Sequence, residues 1–156
     1  MKPEILRESP SLDEESLILA MFSVDGATAA CLTHGDRATV VAVAHYYARV
    51  AATPPPAAGK IIKVMGDGIL AVFPPVNARA AETTCRQAQS ESTELWQEFD
   101  LRCRVRVKLE AGTLLRGRIG PPGEERADVY GHVLNQLYKA SGEEFLILPG
   151  LAALLA

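Results

Sequence analysis

The sequence predicts an α+β fold, a ferredoxin-like sandwich whose mostly antiparallel sheet is covered by helices. Three observations carry that expectation. Residues 102–109 alternate, with Cys103, Val105, Val107 and Leu109 on one face and Arg102, Arg104, Arg106 and Lys108 on the other. Period-two alternation of this kind is the mark of a half-buried strand. Residues 60–73 form two apolar, β-branched segments around a Gly66-Asp67-Gly68 corner. That is a hairpin pattern, because glycine accepts positive φ and aspartate caps its own turn. Residues 39–52 and 78–99 instead repeat apolar side chains at helical spacing.

The elements follow in order along the chain. Residues 1–15 are polar, acidic and proline-containing and read as a leader or linker, which leaves 16–156 as one domain. At 156 residues the chain is long enough to bury a sizeable core. Residues 17–24 are an apolar run suited to a buried strand, and 26–36 read as a small-residue loop. The first helix would bury Val40, Val43, Tyr47 and Val50, and Thr53-Pro54-Pro55-Pro56 ends it because successive prolines cannot continue a helix. Pro74-Pro75 closes the hairpin, and the second helix carries Ala81, Cys85, Ala88, Leu95, Trp96 and Phe99 on one stripe.

Beyond residue 109, Gly112 is expected to begin a turn into a short strand through Leu114 and Leu115. A Gly/Pro/Glu-rich loop over 117–126 follows. A strand over 127–130, a helix over 132–140, a last strand over 145–148 and an apolar tail complete the chain. No internal repeat is visible.

Composition narrows the function. Hydrophobic residues make up 48% and charged residues 22%, ordinary for a soluble globular protein. A net charge of −3 argues against a dedicated nucleic-acid binder. No apolar run reaches membrane-spanning length and the first residues lack the apolar core of a signal peptide, so a cytoplasmic protein without a membrane partner is expected. Cys31, Cys85 and Cys103 are widely spaced, with no Cys-x-x-Cys, and read as reduced structural thiols. His34, His45 and His132 do not form a ligand set.

Lys63 lies four residues before Asp67 in an otherwise apolar strand. Burying an unpartnered ammonium is costly, so this residue points to an exposed edge or a ligand. The hairpin corner alone is explained by turn chemistry. A second segment shifts the balance: Asp128-Val129-Tyr130-Gly131-His132-Val133-Leu134-Asn135. The first run resembles the central hairpin of class III nucleotide cyclases, the adenylyl and guanylyl cyclase homology domain. The second resembles that family's Asp-x-aromatic-Gly-x-x-Val-Asn, with Leu134 in place of the valine. The similarity extends over roughly residues 17–148 and is specific at these two motifs.

The resemblance implies a set of roles. Asp67 would bind metal, while Lys63 and Asp128 would read adenine. One donor and one acceptor suit adenine, which offers an amino group and a ring nitrogen. Guanylyl cyclases usually carry other residues at those two places, so the substrate implied is ATP. Asn135 would orient the ribose and the α-phosphate. Two divalent ions, Mg²⁺ or Mn²⁺, would assist conversion of ATP to 3′,5′-cyclic AMP and pyrophosphate. In the family, the metal-binding and base-reading halves of one site come from different protomers; this chain carries both, which implies a homodimer with shared sites.

Three positions depart from the family pattern. The first metal aspartate of the family follows a phenylalanine at the end of strand one. Here the stretch is Phe22-Ser23-Val24-Asp25-Gly26, so alignment on Phe22 puts Val24 at the metal position and Asp25 one residue late. Asp25 is the expected second metal ligand, as the sole carboxylate near the end of that strand. Lys139 stands where the family has its transition-state arginine; it keeps the charge and loses the planar fork. Glu110 falls in a strand that usually reads Gly-x-His-x-Gly, and no function is assigned to it. The expected activity is that of an adenylyl cyclase. The alternative is a degenerate, dimerising regulatory module of the same fold, and an Asp25 side chain turned away from Asp67 would favour it.

Overall fold

The computed structural model describes residues 11–53 and 59–156. Strand β1 (Leu12–Asp25) is followed by helices α1 (Ala27–His34) and α2 (Asp36–Ala52), then by the hairpin β2 (Lys60–Met65) and β3 (Gly68–Phe73). A 3₁₀ turn (Pro75–Asn77) leads into α3 (Ala78–Phe99), and β4 (Arg104–Ile119), β5 (Arg126–Tyr130), α4 (His132–Lys139), β6 (Phe145–Ile147) and α5 (Pro149–Leu155) complete the chain. The strand order is β2-β3-β1-β4-β5, antiparallel throughout, and β6 pairs in parallel with the first half of β4. Among the described residues no helix is long and apolar enough to cross a membrane.

Both faces of the sheet are covered. On one, α1, α2, α3 and α5 pack over Phe22, Val24, Val105, Val107 and Leu109, with Tyr46 of α2 set edge-on against Trp96 of α3. On the other, α4 alone inserts Val133, Leu134 and Leu137 against Leu17, Leu19, Met21 and Leu114. Residues 17–22 of β1 are therefore buried on both sides, which is why that strand reads as a continuous apolar run rather than an alternation.

Several boundaries differ from the sequence-based expectation. Residues 12–15, assigned by sequence to a leader, belong to β1, because their backbone pairs with Leu114–Gly117 of β4 and Glu15 meets Arg116 at 3.2 Å. Residues 26–36 hold α1 instead of a loop, and the apolar tail holds α5. The expected turn at Gly112 is absent and β4 runs through it. A Cβ at that position would come within 2.6 Å of Val133, so the glycine serves the close approach of α4. The buried face of α2 is Thr39, Ala42, Tyr46 and Val50, leaving Val40 61% exposed. The α3 boundaries match those expected.

Candidate functional site

The hairpin tip carries the first candidate residue. Gly66 takes φ 58°, a left-handed conformation that glycine accepts readily. Its carbonyl accepts the Tyr47 hydroxyl from α2. Next to it, Asp67 Oδ2 accepts the backbone N–H of Val24 at 2.7 Å, which holds the carboxylate at the end of β1. Asp67 sits near α2: burial first, then the Asp67 charge, pushes the hydroxyls of Tyr46 and Tyr47 above the ordinary tyrosine range.

Asp25 goes the other way. Successive side chains of a strand point to opposite faces, and Val24 is buried among the α2 and α3 contacts. Asp25 accordingly leaves on the α4 face, where its Oδ2 accepts Arg106 Nε at 2.7 Å. The structure thus keeps Asp67 at the hairpin tip and gives Asp25 to β4. The physical reason is parity: one residue of displacement along a strand reverses the face.

Lys63 and Asp128 are brought together. They lie on β2 and β5, the two opposite edges of the five-strand path, yet Lys63 Nζ is 3.0 Å from Asp128 Oδ1 and 3.2 Å from Oδ2. Accumulated right-handed twist curls the sheet until its edges approach. Asp128 Oδ1 also accepts the Val129 N–H at 2.8 Å, which orients the carboxylate. A cleft of about 960 Å³ opens beside the pair, walled by Ile61–Val64 on one side and the segment from Ile119 to Asp128 on the other.

Asn135 and Lys139 lie on α4, directly after the strand that carries Asp128. Val133, Leu134 and Leu137 turn inward, so Asn135 and Lys139, one helical turn apart, both face solvent. Lys108 fixes the end of this helix: its ammonium donates to the Tyr138 and Ala140 carbonyls at 3.1 Å each. Burial, then the Arg106 charge, lowers the Lys108 pKa below the usual lysine range. The Lys108 contact was not legible from the strand pattern, which placed this residue on a solvated basic face.

Glu110, unassigned from sequence, is buried and structural. Its Oε1 accepts the Ala111 N–H at 2.8 Å and the Leu151 N–H at 2.9 Å. It thereby docks the first turn of α5, whose N–H groups lack partners within the helix. An acidic residue directly after the buried Leu109 was the only available signal.

The donor set does not fit a two-ion centre. Asp67 accepts a backbone N–H, Asp25 is paired with a guanidinium, and Val24, whose N–H meets Asp67, has no side-chain oxygen and buries its side chain in the core. Among the described residues, no group of three or more His, Cys, Asp or Glu side chains is placed to hold a metal ion.

No protein-family model and no curated protein sequence matches the chain. Solved structures do. The adenylyl cyclase CyaB from P. aeruginosa superposes with a TM-score of 0.83 at 17% identity, over 93% of this chain and 82% of that one. The guanylate cyclase domain of RhGC from Catenaria anguillulae, in complex with GTP, gives 0.79 at 15%, over 92% and 84%. A class III adenylyl cyclase-like ATP-binding protein from Pseudomonas aeruginosa gives 0.77 at 14%, over 97% of this chain and 37% of that one. The chain therefore has the class III nucleotide cyclase fold, mixed α/β with an antiparallel sheet. Identities this low carry the fold; base preference and activity rest on the residues of the site.

Proposed function

We propose that this chain is an adenine-nucleotide-binding domain that works as a homodimer and turns ATP over weakly or not at all. The observation that carries this reading is the contrast between the Lys63–Asp128 contact and the Asp25–Arg106 contact. Lys63 and Asp128 supply one donor and one acceptor side by side. The adenine amino group would donate to the Asp128 carboxylate, and Lys63 would donate to a ring nitrogen. Opening the pair to admit a base costs little, because Lys63 is 41% exposed and exposed ion pairs contribute about 1 kcal/mol or less. Asn135 and Lys139 would meet the ribose and the α-phosphate from the open face of α4.

Dimerisation is supported by the apolar surface around these groups. Val64 and Met65 of the hairpin, Tyr130 at the end of β5 and Tyr138 of α4 are all exposed, Met65 by 84%. Met65 and Tyr138 line one hollow, and exposed apolar groups beside a site mark an interaction surface. The likeness in fold to a class III adenylyl cyclase-like ATP-binding protein is compatible with a nucleotide-binding role.

A second reading, an adenylyl cyclase making cyclic AMP and pyrophosphate, is favoured by the position of Asp67 at the end of β1 and by the open face of Asn135 and Lys139. Calorimetry with ATP and GTP, paired with a cyclic-nucleotide assay in Mn²⁺, tests both. The proposal expects ATP to bind at least about tenfold more tightly than GTP, with cyclic product near background. Equal affinity for the two nucleotides would sink the base-reading assignment. Sustained cyclic AMP formation that Asp67→Asn abolishes would replace the proposal with the second reading.

A further inference from the structure

Asp25 meets a cation that the fold itself supplies. Arg106 Nε donates to Asp25 Oδ2 at 2.7 Å, and Arg106 Nη1 donates to the Gly142 carbonyl at 2.8 Å and lies 3.5 Å from that of Glu143. The guanidinium thereby ties the end of β1 to the loop between α4 and β6. These contacts fix it, its side chain is 34% exposed, and its charge is permanent. The next cation along the same face of β4 is matched as well, since Arg104 lies 3.6 Å from Glu144.

A divalent ion drawn to Asp25 would have to displace Arg106 or stand beside it. Standing beside it sets a double charge against a guanidinium at close range. Displacing it strands a partly buried charge and breaks its charge-assisted hydrogen bonds. Val24 offers no side-chain oxygen in compensation, being a hydrocarbon buried in the core at 6% exposure.

We infer that Arg106 is the resident counter-ion of Asp25, in the place where a divalent cation would otherwise be drawn, and that nucleotide binding proceeds without a divalent ion. The second half rests on the reading of this chain as an ATP-binding domain; the first half stands by itself. The triphosphate would then be met by protein cations, Lys139 foremost, and the uncomplexed nucleotide would be as good a ligand as its magnesium complex.

Two measurements on the full chain decide it. Free Mn²⁺, followed by its electron paramagnetic resonance signal, should show no saturable site up to about 1 mM, the weak end of biological divalent sites. A saturable site that Asp25→Asn removes would overturn the assignment. In calorimetry, the ATP dissociation constant in EDTA should lie within about threefold of that in Mg²⁺, and binding about tenfold or more tighter in Mg²⁺ would overturn the second half. Melting temperatures in EDTA supply a control: Asp25→Asn and Arg106→Gln should each lower Tm, and the double variant should fall little further than either alone. Additive losses would show that the two side chains do not act as a pair. If ATP binds in neither buffer, the nucleotide-binding reading fails, while the Mn²⁺ titration and the Tm series still decide the role of Arg106.

Discussion

The two ends of the candidate site have diverged unequally. At the proposed base-reading end, Lys63 and Asp128 come from opposite edges of a curled sheet and meet at 3.0 Å, with Asp128 oriented by a backbone N–H. At the phosphate end, Asp67 holds its place at the tip of the hairpin, but its expected companion points to the other face and is bound to Arg106. A donor and an acceptor suffice to recognise adenine, and each works separately. A two-ion centre needs several oxygens within one coordination sphere, so a one-residue shift in a strand removes it. Under the proposed reading, recognition would survive a displacement that a metal centre does not.

That contrast can be broken at its stronger end first. Replacing both Lys63 and Asp128 by alanine should weaken ATP binding by about 100-fold or more, since hydrogen bonds to charged groups contribute about 1.5–3 kcal/mol each. Calorimetry is the readout, and an unchanged dissociation constant would place the base elsewhere. At the weaker end, Val24→Asp would add a carboxylate at the residue whose N–H already meets Asp67. It should raise Mn²⁺ affinity by about tenfold or more, at some cost in stability because the position lies in the core. Unaltered Mn²⁺ binding in a folded variant would show that more than one oxygen has been lost.

Adding Lys139→Arg to that background should raise cyclic AMP formation by about tenfold with KM unchanged, because the bidentate fork engages charge that develops on the α-phosphate. No gain over Val24→Asp alone would remove this residue from the site. The smallest functional effect is expected far from both ends. Glu110→Gln should cost about 1–2 kcal/mol of stability, lowering Tm by a few degrees, through its weakened hold on the first turn of α5. ATP affinity should be unmoved, and a loss of affinity there would couple α5 to the site.

Local pattern made much of this molecule legible. The apolar stripe of α3 runs over its whole observed length, and the Gly66-Asp67-Gly68 corner marks the hairpin because turn chemistry is local. The short helices α1 and α5 went unseen because their small and apolar residues show no contrast of faces, whereas α4, equally short, sets Val133, Leu134 and Leu137 against polar neighbours. Gly112 was misread as a turn, since a glycine demanded by a neighbouring helix looks the same in sequence as one demanded by φ. On α2 the stripe of valines and tyrosine pointed one residue away from the face that is buried. With apolar side chains on several sides, that helix takes its rotation from the sheet and α3.

The amino-acid sequence by itself determined where the strands lie though not their full extent, the two long helices, the hairpin carboxylate and the pairing of chemical types in the Lys63 and Asp128 motifs. Each of these is written in neighbouring residues through alternation, helical period or turn preference. Only the tertiary structure decided which groups meet. Sheet curl joined Lys63 to Asp128 across 65 residues of chain, strand parity sent Asp25 to Arg106 across 81, and the docking of α5 gave Glu110 its partners. Such contacts depend on twist, face and packing summed over many elements, and no local stretch of sequence carries that sum.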